Sequence, residues 1–158
     1  ALVRTLNEYF AALSEVIDRH GGAINQFQGD AMLVTFNTVT TDADHAASAV
    51  KTALGIQRVT EQRLFRGDIR LRTRCGVNTG KIVSGAIGTT DRLLYTVHGD
   101  EVNIAARLEQ LNKEYGSYVL VTEQTAQAAG SDFTFDVVGE VTVRGRAAPT
   151  CVMTVKAE

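Results

Sequence analysis

Two short stretches of the chain hold side chains whose types and spacing can do chemistry. In GGAINQFQGDAMLVTFN, Gly21 to Asn37, two apolar runs flank Gln28-Gly29-Asp30, so a hairpin turn there presents the Asp30 carboxylate at its tip. A carboxylate in that position suits a hard divalent cation, and it is equally an ordinary turn aspartate. In YTVHGDEVNIAARLE, Tyr95 to Glu109, a strand runs through glycine into a helix carrying Asn103 and Arg107. Four apart, these two share one helix face. Taken alone, an amide and a guanidinium so placed read as an exposed helix face. Lys81, after Asn78-Thr79-Gly80, and Arg144, in Val143-Arg144-Gly145-Arg146, are cations in turns.

The elements that must position these residues follow from periodicity. Leu6, Phe10, Leu13 and Ile17 mark one face of a helix from Leu2 to His20, which Gly21-Gly22 ends. Strands are expected at Ala23–Phe27 and Met32–Phe36, then a helix capped by Asp42 and running to about Gln62, with Ala46, Ala49, Val50, Ala53 and Ile56 inward. Ile69, Leu71, Thr73, Cys75 and Val77 alternate with Arg70, Arg72, Arg74 and Gly76, which predicts a half-buried strand with three arginines on its solvent face. A turn at Asn78-Thr79-Gly80 would pair it with a strand from Lys81 to Gly88 in a second hairpin. Leu93–Val97 is a further short strand, and the helix from Gly99 to about Lys113 turns Ile104, Leu108 and Leu111 inward. Strands at Tyr118–Val121, Phe133–Val138, Glu140–Val143 and Cys151–Val155, with a short helix from Thr122 to Gly130, complete the chain. This order predicts an α+β sandwich with helices on one face of a mostly antiparallel sheet.

Composition narrows the function classes. With 158 residues, 44% hydrophobic, the chain is long enough for one core and is expected to form one domain over 1–158. A formal net charge of −2 argues against a general nucleic-acid or membrane-surface binder. No apolar run approaches the ~20 residues of a membrane helix, and no secretory signal is visible, so a soluble, cytoplasmic domain is expected. Cys75 and Cys151 lie in separate apolar runs and read as reduced, buried thiols rather than a disulfide. His20 and His45 read as surface residues.

The two chemistry-bearing stretches together resemble the catalytic domain of class III adenylate and guanylate cyclases. Asp30 sits in that family's Gly-Asp turn, and Val102-Asn103-Ile104-Ala105-Ala106-Arg107 matches its Val-Asn-x-Ala-x-Arg pattern. The resemblance implies a ferredoxin-like βαββαβ sandwich with additional C-terminal strands. Its first strand is missing before Leu2 and is expected upstream in a longer protein, together with a second metal aspartate and a regulatory or sensor domain. The resemblance also implies conversion of ATP to 3′,5′-cyclic AMP and pyrophosphate with two Mg2+ or Mn2+ ions. Asp30 would bind metal, Asn103 would orient the ribose, Arg107 would stabilise the transition state, and Lys81 and Arg144 would contact phosphate. At the base-reading positions, where adenylate cyclases commonly have lysine and aspartate, this chain has Gln26 and Thr96. The threonine is similar to the subgroup that includes bicarbonate-responsive cyclases. The amide and hydroxyl can satisfy adenine and also guanine, so loose discrimination is expected. Family members are head-to-tail homodimers, which implies that Asp30 of one subunit faces Arg107 of the other. A guanylate cyclase, and a degenerate domain that binds nucleotide or dimerises without catalysis, are the alternatives.

Overall fold

The computed structural model describes residues 2–28, 31–38, 41–65, 67–89, 92–98, 100–142 and 148–157. Helix α1 (Leu2–Arg19) stops at Gly21, whose φ of 81° suits a residue without Cβ. There Gly22 N–H donates to Ile17 O at 3.0 Å and Gly21 N–H to Asp18 O at 3.2 Å, which satisfies carbonyls the helix leaves open. The buried line of α1 is Tyr9, Ala12, Leu13, Val16 and Ile17, while Leu6 and Phe10 are half-buried at its edge. Tyr9 draws the stripe round: its ring meets Phe65 edge-on at 5.6 Å, and its hydroxyl lies 2.6 Å from Thr73 Oγ1.

Strands β1 (Ala23–Gln28) and β2 (Ala31–Thr35) pair antiparallel as expected, with Gln28 opposite Ala31. The register shifts between Ile24 and Gln26. Asn25 is the extra residue, held by Nδ2 donating to Ala23 O at 3.0 Å and to Thr35 Oγ1 at 2.8 Å, and the bulge changes the phase of β1 immediately before Gln26.

Helix α2 (His45–Gln62) starts three residues after Asp42, with Asp44 at its N-cap. Asp42 still organises that start: its carboxylate accepts from Asp44 N–H at 2.9 Å and from Ser48 Oγ at 2.7 Å.

The alternating stretch from Ile69 to Val77 departs from expectation, because only β3 (Cys75–Val77) is a strand. Phe65 and Ile69 bridge to each other across a tight loop, and Phe65 is fully buried against α1. The arginines are tied sideways: Arg70 donates to Glu61 O, Arg72 pairs with Glu61 at 3.1 Å and lies 3.8 Å over the Tyr118 ring, and Arg74 pairs with Glu109 at 3.4 Å. Nor does β3 pair with the next strand. The second hairpin joins β4 (Val83–Thr89) to β5 (Arg92–His98), with Gly85 opposite Thr96.

The remaining elements are α3 (Asp100–Tyr115), β6 (Val119–Thr122), α4 (Glu123–Ala129), β7 (Phe133–Val141) and β8 (Thr150–Ala157). They complete a four-stranded sheet of order β3-β6-β8-β7 in which only β3 and β6 run parallel. The two strands expected at Phe133–Val138 and from Glu140 are one strand with a register shift between Val137 and Gly139.

The α+β class stands, but the helices divide over both faces of this sheet. Ala46, Val50 and Ala53 of α2 and Ala129 of α4 pack with Val119, Val121 and Val155, whereas Ile104, Leu108 and Leu111 of α3 pack with Leu120 and Val152. All four residues of β6 are buried, as a strand covered on both sides requires. Cys75 and Cys151 are free thiols on β3 and β8, the two strands that flank β6.

Candidate active site

Helix α3 carries the Asn103 and Arg107 pair, and three contacts fix where that helix lies. Asp100 and Glu101 occupy its first turn, the favourable end for negative charge. At this end Asn78 donates from Nδ2 to Glu101 O at 3.0 Å and to Glu101 Oε2 at 2.6 Å. In the middle, Gly76 of β3 lies so close to α3 that a Cβ there would overlap Ala105 O and stand 2.9 Å from Leu108 Cβ. At the far end the buried Asn112 donates to Cys75 O at 3.0 Å and accepts from Ser117 Oγ at 2.7 Å, and Tyr115 Oη lies where a Cβ on Gly139 would sit. Close approach at two glycines and a satisfied buried amide make α3 and the sheet one packed unit.

Asn103 and Arg107 stand along one edge of the stripe formed by Ile104, Leu108 and Leu111, and both are exposed. Among the described residues neither has a hydrogen-bond or ion-pair partner, so both head groups are available to a ligand. Lys81 is exposed in the connection between β3 and β4. The contact of Asn78 and Gly80 with Glu101 brings that connection to the end of α3 nearest Asn103. The connection that bears Lys81 thus meets the first turn of α3, two residues before Asn103, while Arg107 stands one turn further along the helix.

The other expected residues are not placed in the same way. Asp30 and Arg144 lie outside the described residues. Gln26 and Thr96 are described in their backbone alone, on β1 and β5, two strands that touch each other. Among the described residues no group of three His, Cys, Asp or Glu side chains could hold a metal ion.

A polar cluster behind the connection escapes a reading of the sequence. Thr122 Oγ1 donates to Asn78 Oδ1 at 2.8 Å, Thr79 Oγ1 lies 2.8 Å from Thr125 Oγ1, and Thr122 and Thr125 are fully buried. The partners are 44 and 46 residues apart, which no local pattern reveals. The one visible signal is Thr122 with Thr125 at the start of a short helix.

Neither cysteine offers a nucleophile. Burial pushes the Cys75 thiol up to about 12, the Glu109 carboxylate adds to the shift, and a hydrogen bond from Gln57 opposes it. Desolvation also raises Cys151, followed by the charges of Glu123 and Glu140. A thiol that stays protonated at neutral pH is inert.

The geometry accords with what the chain is similar to. The family described as adenylate and guanylate cyclase catalytic domain matches residues 1–156. Adenylate cyclase 1 of Rhizobium meliloti is 38% identical over 149 residues, covering 92% of this chain and 22% of that protein. The adenylate cyclase of Anabaena cylindrica is 34% identical over 164 residues, covering 99% and 32%. The crystal structure of the guanylyl cyclase Cya2 superposes with a TM-score of 0.80 at 33% identity, over 97% of this chain and 79% of that one. The chain belongs to the class III adenylate and guanylate cyclase catalytic domain family. It spans between a fifth and a third of the length of these two bacterial relatives.

Proposed function

We propose that this domain, residues 1–158, converts ATP to 3′,5′-cyclic AMP and pyrophosphate in cyclic-nucleotide signalling. The ribose 3′-oxygen forms a bond to the α-phosphorus, the bond from that phosphorus to the bridging oxygen breaks, pyrophosphate leaves, and the hydroxyl proton is released. The observation that carries this reading is the exposed Asn103 and Arg107 pair, without a partner among the described residues, on a helix fixed at three points. A preset guanidinium stabilises the charge that develops on the phosphoryl oxygens without reorganising as the reaction proceeds. Asn103 orients the ribose, and Lys81 and Arg144 hold the polyphosphate.

Asp30 is the residue proposed to hold Mg2+ or Mn2+, since the carboxylate of a Gly-Asp sequence motif offers the hard oxygen donors these ions take. A bound ion supplies further neutralisation of phosphate charge. The described residues by themselves assemble no complete ligand set. Exposure of Asn103, Ala106, Arg107 and Gln110 in one chain supports a site completed by a second copy in a head-to-tail dimer. No helix among the described residues is long and apolar enough to cross a membrane, and a cytoplasmic location is part of the proposal.

Two of the relatives above are adenylate cyclases by name, which supports ATP. The 33% identity to a guanylyl cyclase favours GTP as the second reading. Turnover of each nucleotide by the full-length protein separates them. Gln26→Lys together with Thr96→Asp should raise the ATP-to-GTP ratio of kcat/KM by about ten- to a hundredfold, the worth of a good two-point base contact. An unmoved ratio contradicts a base-reading role for these two residues.

A further inference from the structure

The short connection between β3 and β4 bears the candidate cation Lys81 and has no regular secondary structure from Asn78 to Lys81. It is nevertheless tied on two sides. Both hydrogen-bonding ends of the Asn78 amide are used: Nδ2 on Glu101 O and Oε2 of α3, and Oδ1 as acceptor from Thr122 Oγ1 at the β6–α4 junction. Thr122 is the N-cap of α4 yet makes no side-chain cap bond to its own helix. Its hydroxyl instead donates to Asn78 and lies 3.1 Å from Thr125 Oγ1. A threonine at that position ordinarily stabilises the helix it opens; here the hydroxyl serves the connection. Thr79 adds a second tie to the fully buried Thr125. Gly80 lies flat on the Glu101 side chain, with no room for a Cβ between them.

We propose that Asn78 is a positioning residue that clamps the 78–81 connection onto the first turn of α3, so that Lys81 and the Asn103 and Arg107 pair move as one body. The bond to the Glu101 carboxylate is charge-assisted and short, the kind that holds a fixed geometry. Glu101 lies two residues before Asn103, so a shift of the connection is felt directly at the residues proposed to meet the nucleotide. Misplacement by an ångström at such groups costs about a hundredfold in rate. This inference rests on the cyclase reading for its consequence in catalysis, while the clamp itself is testable without turnover.

The test uses the full-length protein and two readouts, amide hydrogen exchange and steady-state kinetics. Asn78→Asp places two carboxylates against each other and removes the donor. Exchange should accelerate at least tenfold in both 78–82 and 100–104, with kcat down tenfold or more and KM within threefold. Adding Glu101→Gln restores a donor facing a carboxylate, with the roles reversed, and should return exchange and kcat to within threefold of the parent. Acceleration in only one segment, unchanged kinetics, or failure of the double substitution to recover would overturn the clamp. If Asn78→Asp does not fold, Glu101→Ala removes the same bond from the helix side and decides by the same measures. Exchange that behaves as stated in a protein turning over neither ATP nor GTP supports the clamp and removes the cyclase reading.

Discussion

Two asparagines on α3, nine residues apart, have opposite lives. Asn112 is 1% exposed and its amide donates to Cys75 O while accepting from Ser117. Asn103 is exposed, and among the described residues it has no partner. The same side chain thus serves on one face to fasten the helix to the sheet and on the other as an unspent donor and acceptor. Stability is concentrated on the sheet-facing side and the residues proposed to bind nucleotide lie on the solvent-facing side, so substitutions on the two faces should separate in their effects.

The largest effect belongs at Gly76, where any Cβ meets the backbone of α3. Gly76→Val must push the helix off β3, and a cost of more than about 3 kcal/mol is expected from overpacking against an immovable neighbour. Denaturant unfolding checks this. A variant that unfolds at the parent midpoint would break the claim that α3 and the sheet are one packed unit.

Asn112→Ala should cost about 1–3 kcal/mol, since it leaves Cys75 O and the Ser117 hydroxyl without their partner. Thermal unfolding measures it.

Cys75, on the strand beneath α3, gives a smaller effect visible only in alkali. Its folded-state value of about 12 lies above the 9.0 of an ordinary thiol, so above pH 9 the unfolded chain loses the thiol proton first. The unfolded state then binds fewer protons, and stability falls as pH rises from about 9 towards 12. Cys75→Ser should flatten that fall. An unchanged slope between pH 9 and 11 would contradict a buried, protonated thiol.

Asn103→Ala belongs at the end of the series, with stability changed by no more than about 0.5 kcal/mol, the usual scale for an exposed site.

Local chemistry was legible in the sequence wherever neighbours along the chain decide the structure. The inward stripe Ile104, Leu108 and Leu111, the stop at Gly21, and the hairpin around Gln28 and Ala31 follow from spacing and turn residues. Pairing between distant segments was not. Alternation from Ile69 to Val77 describes a strand equally well whether or not a partner strand exists. Here Arg70, Arg72 and Arg74 are held by Glu61, Tyr118 and Glu109, and six of the nine residues precede β3. The placement of α3 opposite α2 and α4 was hinted at by the apolar run of β6, which is what a strand covered on both faces looks like. Asn103, Arg107 and Lys81 were visible by type and motif. The Asn78, Glu101 and Thr122 ties that hold the Lys81 connection at the first turn of α3 depend on contacts 23 and 44 residues apart.

The central claim is that the solvent-facing side of α3 does chemistry and contributes little stability, and Arg107→Ala tests it most directly. Nucleotide turnover and thermal unfolding of the full-length protein would be measured side by side. A loss of about a hundred- to a thousandfold in kcat for cyclic nucleotide formation is expected, as for removal of one preorganised charge-stabilising donor, with stability within about 0.5 kcal/mol of the parent. Turnover equal to the parent in a folded Arg107→Ala protein would contradict it.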